Sequence, residues 1–325
     1  MPRRRLGRTG REVSAVGFGA WAIGADWGPV DDAASLAALH AAVDAGVNFF
    51  DTADAYGDGR SERLIGRLLR ERDEDLVVAT KVGRRVPQEV ANYTAENLRA
   101  WVDRSRRNLG VETLDLVQLH CPPDELFDRD DVFEALNELV ESGRIAHHGV
   151  SVETVDQAIR AIRRPGVATV QIILNMFRQK PIREFLPAAA AAHVGVIARV
   201  PLASGLLSGK ISLQTEFPDD DHRNYNRTGE SFDVGETFSG VPLEVGVEAV
   251  AELRGVAAHG TLAQTAIRWL LMFDQVSTVI PGAKTPEQAR ENAAAATLPP
   301  LDDEAMRLVA DVYERRIDPL VESRW

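Results

Sequence analysis

Eight short apolar runs rich in β-branched residues alternate with helix-period segments along the chain, and this alternation constrains the fold more than any other feature. The runs are 14–19, 48–53, 75–81, 114–120, 146–151, 169–175, 194–200 and 276–281. Near-continuous apolar runs of this length suit strands of a parallel sheet buried on both faces. Amphipathic stretches separate them at 31–45, 61–71, 95–109, 131–143, 154–163, 183–192, 242–272 and 285–296. Helix-end signals agree: Asp31 and Asp32 open one stretch, Gly110 and Gly143 sit where others should stop, and Thr285-Pro286-Glu287-Gln288 offers a cap, a first-turn proline and a capping glutamine.

Eight strand–helix repeats predict an α/β chain of the (β/α)8, or TIM-barrel, class, which takes about 250 residues plus insertions. An open doubly wound sheet is the alternative with the same alternation. The 325 residues leave length to spare. Residues 3–13 read as an N-terminal β-hairpin around Gly-Arg-Thr-Gly, and 302–316 as an extra C-terminal helix after Pro299-Pro300. The aperiodic stretch 211–241 is too long for an ordinary connection, so it is either a functional loop or a disordered one. No repeat or low-complexity linker divides the chain, and 1–325 reads as a single domain.

Charge and cysteine usage exclude several function classes. A net charge of −12 argues against nucleic acid as a partner, because that binding needs a basic surface. No apolar run approaches the ~20 residues of a membrane span, and the arginine-rich N-terminus lacks the apolar core of a secretory signal. With one cysteine, Cys121, there is no internal disulfide framework and no cysteine-only metal site, so a cytoplasmic setting is expected. Only four of the 37 basic residues are lysines: Lys81, Lys180, Lys210 and Lys284. Where arginine is the default, each lysine invites a chemical reason.

In a (β/α)8 barrel the reactive groups lie at the C-terminal ends of strands. Those positions hold Asp51, Lys81, His120, Ser151 and Asn175, with Tyr56 five residues beyond Asp51. Singly, each has a bland reading as a solvated strand end or a satisfied polar group. Together, at adjacent buried strand ends, they must pair. A lysine beside a tyrosine favours the phenolate, an aspartate keeps the lysine charged, and a histidine can orient a substrate oxygen. The set describes a general acid aimed at an oxygen that gains negative charge.

The segment Gly46-Val47-Asn48-Phe49-Phe50-Asp51-Thr52-Ala53-Asp54-Ala55-Tyr56-Gly57, followed by Ser61-Glu62 and Ile65-Gly66, resembles the signature of the aldo-keto reductase superfamily. The resemblance extends through Gly17–Trp21, Ala79-Thr80-Lys81, Leu119-His120, Gly149-Val150-Ser151, Pro201–Lys210 and Ile280–Lys284. It implies NADP(H) bound without a Rossmann domain and a small-molecule carbonyl substrate. The implied catalytic tetrad is Asp51, Tyr56, Lys81 and His120, with Tyr56 as acid and its pKa depressed by Lys81. Gly17-Phe18-Gly19 lacks the third glycine of a dinucleotide fingerprint, in keeping with that implication.

The resemblance also implies a cofactor groove running across strands five to eight, with Gly19, Ala20, Trp21 and Asp51 also among the cofactor contacts. Ser151 and Gln171 would take the nicotinamide carboxamide, and Arg199 would lie at its ring. Leu202, Ser204, Gly205, Leu206, Ser208 and Lys210 would surround the pyrophosphate, with Pro201 also a cofactor contact. Lys284 would meet the adenosine 2′-phosphate, Gln288, Glu291 and Asn292 the adenine and ribose, and Gly282 would be a further cofactor contact. Two departures stand out: Arg199 where many members stack an aromatic, and Val152 where an amide often follows the serine. The substrate would sit above Tyr56 and His120, walled by Trp21, Trp27, Phe177 and aromatics of 211–241, although Trp27 also reads as plain packing. Asp219-Asp220-Asp221 reads as solvated surface, with no metal expected.

Two other classes compete. Relatives of such barrels associated with ion channels bind the cofactor as regulatory or sensing subunits, and an intact tetrad does not separate them from reductases. A metal-dependent hydrolase using His120, His147 and His148 is disfavoured, because adjacent His147 and His148 point to opposite strand faces. The physiological substrate, the direction of reaction and the oligomeric state are not encoded legibly.

Overall fold

The computed structural model describes residues 1–24, 26–28 and 31–325. An antiparallel hairpin, β1 (Arg3–Arg5) and β2 (Glu12–Ser14), precedes a parallel sheet. The sheet runs β3 (Phe18–Gly19), β4 (Phe49–Asp51), β5 (Val77–Val82), β6 (Leu114–His120), β7 (Ile145–Ser151), β8 (Val167–Ile173), β9 (Gly195–Arg199) and β10 (Val276–Val279), each strand beside its sequence neighbour. The two ends meet through parallel bridges Val16 to Val279 and Gly19 to Gly282, closing the predicted barrel. Among the described residues no helix is long and apolar enough to cross a membrane.

Side-chain alternation divides each strand between two cores. Phe50, Val78, Val117, Val150, Val170 and Val196 belong to the apolar layer under the surrounding helices. Phe49, Val77, Ala79, Leu116 and Ile197 cluster inside the barrel with Leu6 and Val13 of the hairpin, which plugs the floor. The same parity continues upward to Asp51, Lys81, Gln118, His120, Gln171 and Arg199, so one register rule fills the floor with hydrocarbon and the mouth with polar groups. Gly149 is required within this layer: a Cβ there would lie 2.2 Å from Thr169 Oγ1 and 2.6 Å from the Thr169 carbonyl.

Helix ends follow the capping chemistry read from the sequence. Thr285 accepts from the Gln288 amide at the start of Pro286–Ala294, and Gly110 ends Ala95–Leu109 at φ 70°. The stretch 242–272 is not one helix, as its periodicity predicts, but two, Leu243–Leu253 and Leu262–Leu270. Gly260 and a capping box between Thr261 and Gln264 restart the second, a local signal that overrides the apolar period. The C-terminal helix Asp303–Val312 continues through a wider turn, Tyr313–Ile317.

The stretch 211–241 is ordered, built of short turns at His222–Tyr225, Val234–Glu236 and Phe238–Gly240. Its buried polar residues include Asp221, His222, Asn226, Glu236 and Ser239. Reading the three aspartates as solvated surface therefore fails at Asp221. Its carboxylate is buried, paired with Arg223 at 2.6 Å, and caps the Arg223 amide.

Candidate active site

Lys81 Nζ donates to Asp51 Oδ1 at 2.5 Å, to the Thr52 carbonyl at 2.9 Å and to Tyr56 Oη at 3.3 Å. Asp51 Oδ2 accepts from Gln171 at 2.7 Å and from Gln118 at 3.3 Å. The carboxylate is thus held by one cation and two amides, and both members of the pair are buried. Gln118 was not singled out in the sequence; its place two residues before His120 on one strand face was the available signal. The Tyr56 and His120 rings meet edge to face at 5.7 Å, bringing all four tetrad residues to one point at the mouth.

Electrostatics sharpen the roles. Burial opposes the Lys81 charge, but Asp51 and Tyr56 outweigh it and hold the ammonium above its ordinary range. Burial pushes the Tyr56 phenol up, and Lys81 counteracts this only in part, so the depressed value inferred from the sequence is not reached. His120 is held well below 6.5 by burial and by the cations Arg84, Lys81 and Arg199, leaving a neutral ring at neutral pH.

An aromatic wall stands over the tyrosine. Trp21 stacks on Tyr56 at 6.0 Å and meets Trp27 at 5.5 Å, while His222 lies 4.7 Å from Trp21 and Phe232 5.8 Å from it. Asp26 ties the wall together by accepting from Trp21 Nε1 and Tyr225 Oη. Trp27 therefore belongs to the wall, whereas Phe177 lies fully buried in the main core. His222 went unnoticed in the sequence, since a lone histidine in an aperiodic loop carries no signal.

A second charged cluster adjoins His120. Arg199 donates to Glu153 at 2.8 Å and lies 3.3 Å from Glu236. Arg84 donates to Glu236 at 2.9 Å and lies 3.8 Å from Glu153. Arg199 thus faces two carboxylates rather than an open slot. Sequence reasoning missed Arg84, Glu153 and Glu236. Arg84 and Glu153 lie two residues past the ends of β5 and β7, but nothing in 211–241 marks Glu236.

The remaining expected residues line the barrel's edge from β7 to β10. Ser151 is buried beside Cys121, and Ser204 Oγ donates to the Glu236 carbonyl. The turn Ala203–Ser208 is unusual: Ser204 and Gly205 sit at φ 53° and 99°, and Val200 and Ala203 also have positive φ. Strain of this kind gathers at functional sites. Pro201, Leu202 and Leu206 frame this turn, and beyond it the Lys210 side chain makes no ion pair or hydrogen bond among the described residues. Across the groove the Lys284 ammonium donates to the Trp27 carbonyl. The Lys284 amide donates to Gln288 Oε1, Asn292 donates to the Gly282 carbonyl, and the Glu291 carbonyl accepts from Gln264. Gly19, bridged to Gly282, and buried Ala20 complete the rim beside Trp21.

Known proteins resemble this chain over nearly its whole length. Residues 15–314 fit the model of the aldo/keto reductase family. The chain is 32% identical to a probable voltage-gated potassium channel subunit beta of Oryza sativa subsp. japonica, over 100% of this chain and 98% of the relative. It is 27% identical to the aldo-keto reductase yakc [NADP(+)] of Schizosaccharomyces pombe, over 91% and 86%. The glycerol dehydrogenase AKR11B4 of Gluconobacter oxydans superposes with a TM-score of 0.80 at 31% identity, covering 97% of this chain and 96% of that one. With the family model spanning nearly the whole barrel and the Asp51–Lys81–Tyr56–His120 cluster at its mouth, the chain belongs to the aldo/keto reductase family.

Proposed function

We propose that the protein reduces aldehyde or ketone carbonyls to alcohols with NADP(H), Tyr56 serving as the general acid. The observation that carries this reading is the Lys81 ammonium, set between Asp51 at 2.5 Å and Tyr56 Oη at 3.3 Å. A carbonyl oxygen at Tyr56 gains negative charge as its carbon accepts hydride. The Tyr56 proton passes to that oxygen, and the resulting phenolate is left beside Lys81. The neutral His120 ring orients the same oxygen, while the aromatic wall around Trp21 and Trp27 keeps water from it.

The residues present suit a dinucleotide. The left-handed turn at Ser204 and Gly205 lets backbone approach a phosphate closely, and Lys210 has a side chain without an ionic partner among the described residues. Ser151, Gln171 and Arg199 would hold the nicotinamide, and Pro201, Leu202, Leu206 and Ser208 would flank the pyrophosphate. Gly282, Lys284, Gln288, Glu291 and Asn292 would hold the adenosine half, with help from the helix N-terminus at Pro286. Gly19, Ala20, Trp21 and Asp51 would close the nicotinamide end. Bound NADPH would supply the hydride. The S. pombe relative, named for NADP(+), supports that choice of cofactor.

The test is NADPH oxidation with 4-nitrobenzaldehyde, comparing wild type and Tyr56→Phe. Loss of about 10²–10⁴-fold in kcat, with NADPH still bound, is expected. A Tyr56→Phe variant as active as wild type would overturn the role of the phenol. A second reading, a cofactor-binding regulatory subunit, draws on the channel-subunit relative, which aligns with the whole chain. Tight NADPH binding without turnover of any aldehyde by wild type would favour it.

A further inference from the structure

We propose that Arg84 and Arg199 form an anion subsite at the barrel mouth that selects carbonyl compounds bearing a carboxylate a few bonds from the reacting carbon. In the closed mouth the Glu236 side chain takes the place of that carboxylate. The substrate half of this inference rests on the reductase reading; the anion site itself does not.

The two carboxylates on these arginines have different standing. Glu153 belongs to the frame: it lies two residues past β7, and its amide donates to Gln157 Oε1, the capping-box glutamine of Val155–Ile162, at 2.9 Å. Glu236 belongs to 211–241, a segment of short turns held to the barrel at this point by the hydroxyl of Ser204. With Glu236 in place, two guanidiniums face two carboxylates and the cluster is neutral. Without it, one positive charge is left over in a buried mouth, a costly state until another anion enters. Of the neighbouring groups, Asp233 acts on Glu153 but its carboxylate accepts from the Gly235 amide and Trp325 Nε1. His120 is neutral, burial holds the Cys121 thiol protonated with its pKa pushed up to about 12, and Asp51 is committed to Lys81.

Position ties the subsite to the reaction centre. Arg84 Nη1 lies 2.9 Å from Glu236 Oε1 and 3.5 Å from His120 Nε2. An anion replacing the Glu236 carboxylate would stand beside the ring that orients the carbonyl, close enough for one small molecule to carry both groups. The guanidinium also lies 5.7 Å from the Phe232 ring of the aromatic wall, so the subsite and the wall share one cavity edge. Cys121, Glu153 and Glu236 bring potential metal-ligand atoms within 4.8 Å of one another, but Arg199 pairs with Glu153 Oε2 and Arg84 with Glu236 Oε1. The cluster is therefore an anion receptor closed by its own side chain rather than a cation site.

Two measurements test this. In calorimetry with butanoate, Glu236→Gln should bind at least about tenfold more tightly than wild type, and adding Arg84→Met should remove the gain. Equal affinity of wild type and Glu236→Gln would overturn the subsite whether or not the protein is a reductase. In kinetics, kcat/KM for 4-oxobutanoate should exceed that for butanal by about tenfold, with the ratio falling toward one in Arg84→Met. Turnover of butanal with no preference for the anionic aldehyde would overturn the substrate class. If neither aldehyde reacts, the reductase reading fails, and the butanoate titration alone decides the anion site.

Discussion

Lys81 Nζ lies 2.5 Å from Asp51 Oδ1, and the two side chains expose only 1% and 3% of their surface. A pair this deeply buried adds little net stability, but removing one partner strands the other. Gln118 and Gln171 would still donate to Asp51 after loss of the lysine, yet neither neutralises it. Lys81→Met is therefore expected to cost roughly 3–5 kcal/mol. A chemical denaturation midpoint that falls with an unchanged slope would report it. The double variant Asp51→Asn/Lys81→Met should recover much of the loss, and strictly additive costs would count against the coupling.

The pH profile of the proposed reduction follows from Tyr56 and His120. The proposed acid, Tyr56, must be protonated for reduction, so activity should be lost as pH rises through the phenol's pKa. Burial holds that pKa above the ordinary value of about 10. His120 stays neutral because burial and Arg84 depress its pKa, so no step should appear near 6.5. The expected kcat/KM for reduction is flat from about pH 6 to 9 and declines only above that range. A decline centred near pH 7 would mean that the ligand-bound site reverses the balance between burial and Lys81.

The tetrad and the barrel were legible for a shared reason. Strand ends fix which residues reach the mouth, so Asp51, Lys81 and His120 could be read from position once the strands were read from their apolar runs, whereas Gln171 entered only through the family resemblance. Glu236 obeys no such rule. Its place depends on tertiary contacts with Arg84, Arg199 and Ser204, three residues distant in sequence. The direction of the Tyr56 shift was misjudged for a related reason: the lysine can be read from sequence, but the depth of burial opposing it cannot. The split of 242–272 was available in Gly260 and the Thr261–Gln264 box, although the continuous apolar period masked it.

Asp54 gives a separate test of burial. The side chain is fully buried, and neither carboxylate oxygen has a hydrogen-bond partner among the described residues. Burial first, and Glu62 second, raise its pKa from 3.8 to about 7 against the pull of Arg85 and Arg104. The folded chain thus keeps a proton that the unfolded chain releases. This contribution to stability is complete below pH 3.8 and is lost as pH rises to about 7. Asp54→Asn, which cannot ionise, should raise Tm more at pH 8 than at pH 5, relative to wild type at each pH. Equal shifts at both values would show that the carboxyl titrates normally.

Arg199 bears on cofactor discrimination, if the groove is as proposed. A guanidinium stacked near a nicotinamide ring repels the cationic oxidised form and tolerates the neutral reduced form. Glu153 at 2.8 Å and Glu236 at 3.3 Å offset most of that repulsion, so the preference for NADPH should be modest rather than absolute. Arg199→Tyr is expected to narrow the ratio of NADP⁺ to NADPH dissociation constants by less than about tenfold, as read from tryptophan fluorescence quenching. It also leaves Glu153 and Glu236 with Arg84 as their shared cation, so adding Glu153→Gln should restore stability without restoring the ratio. If the ratio is unchanged in Arg199→Tyr, the guanidinium has no part in telling the two cofactor forms apart, and the role of Arg199 reduces to its pairing with the two glutamates.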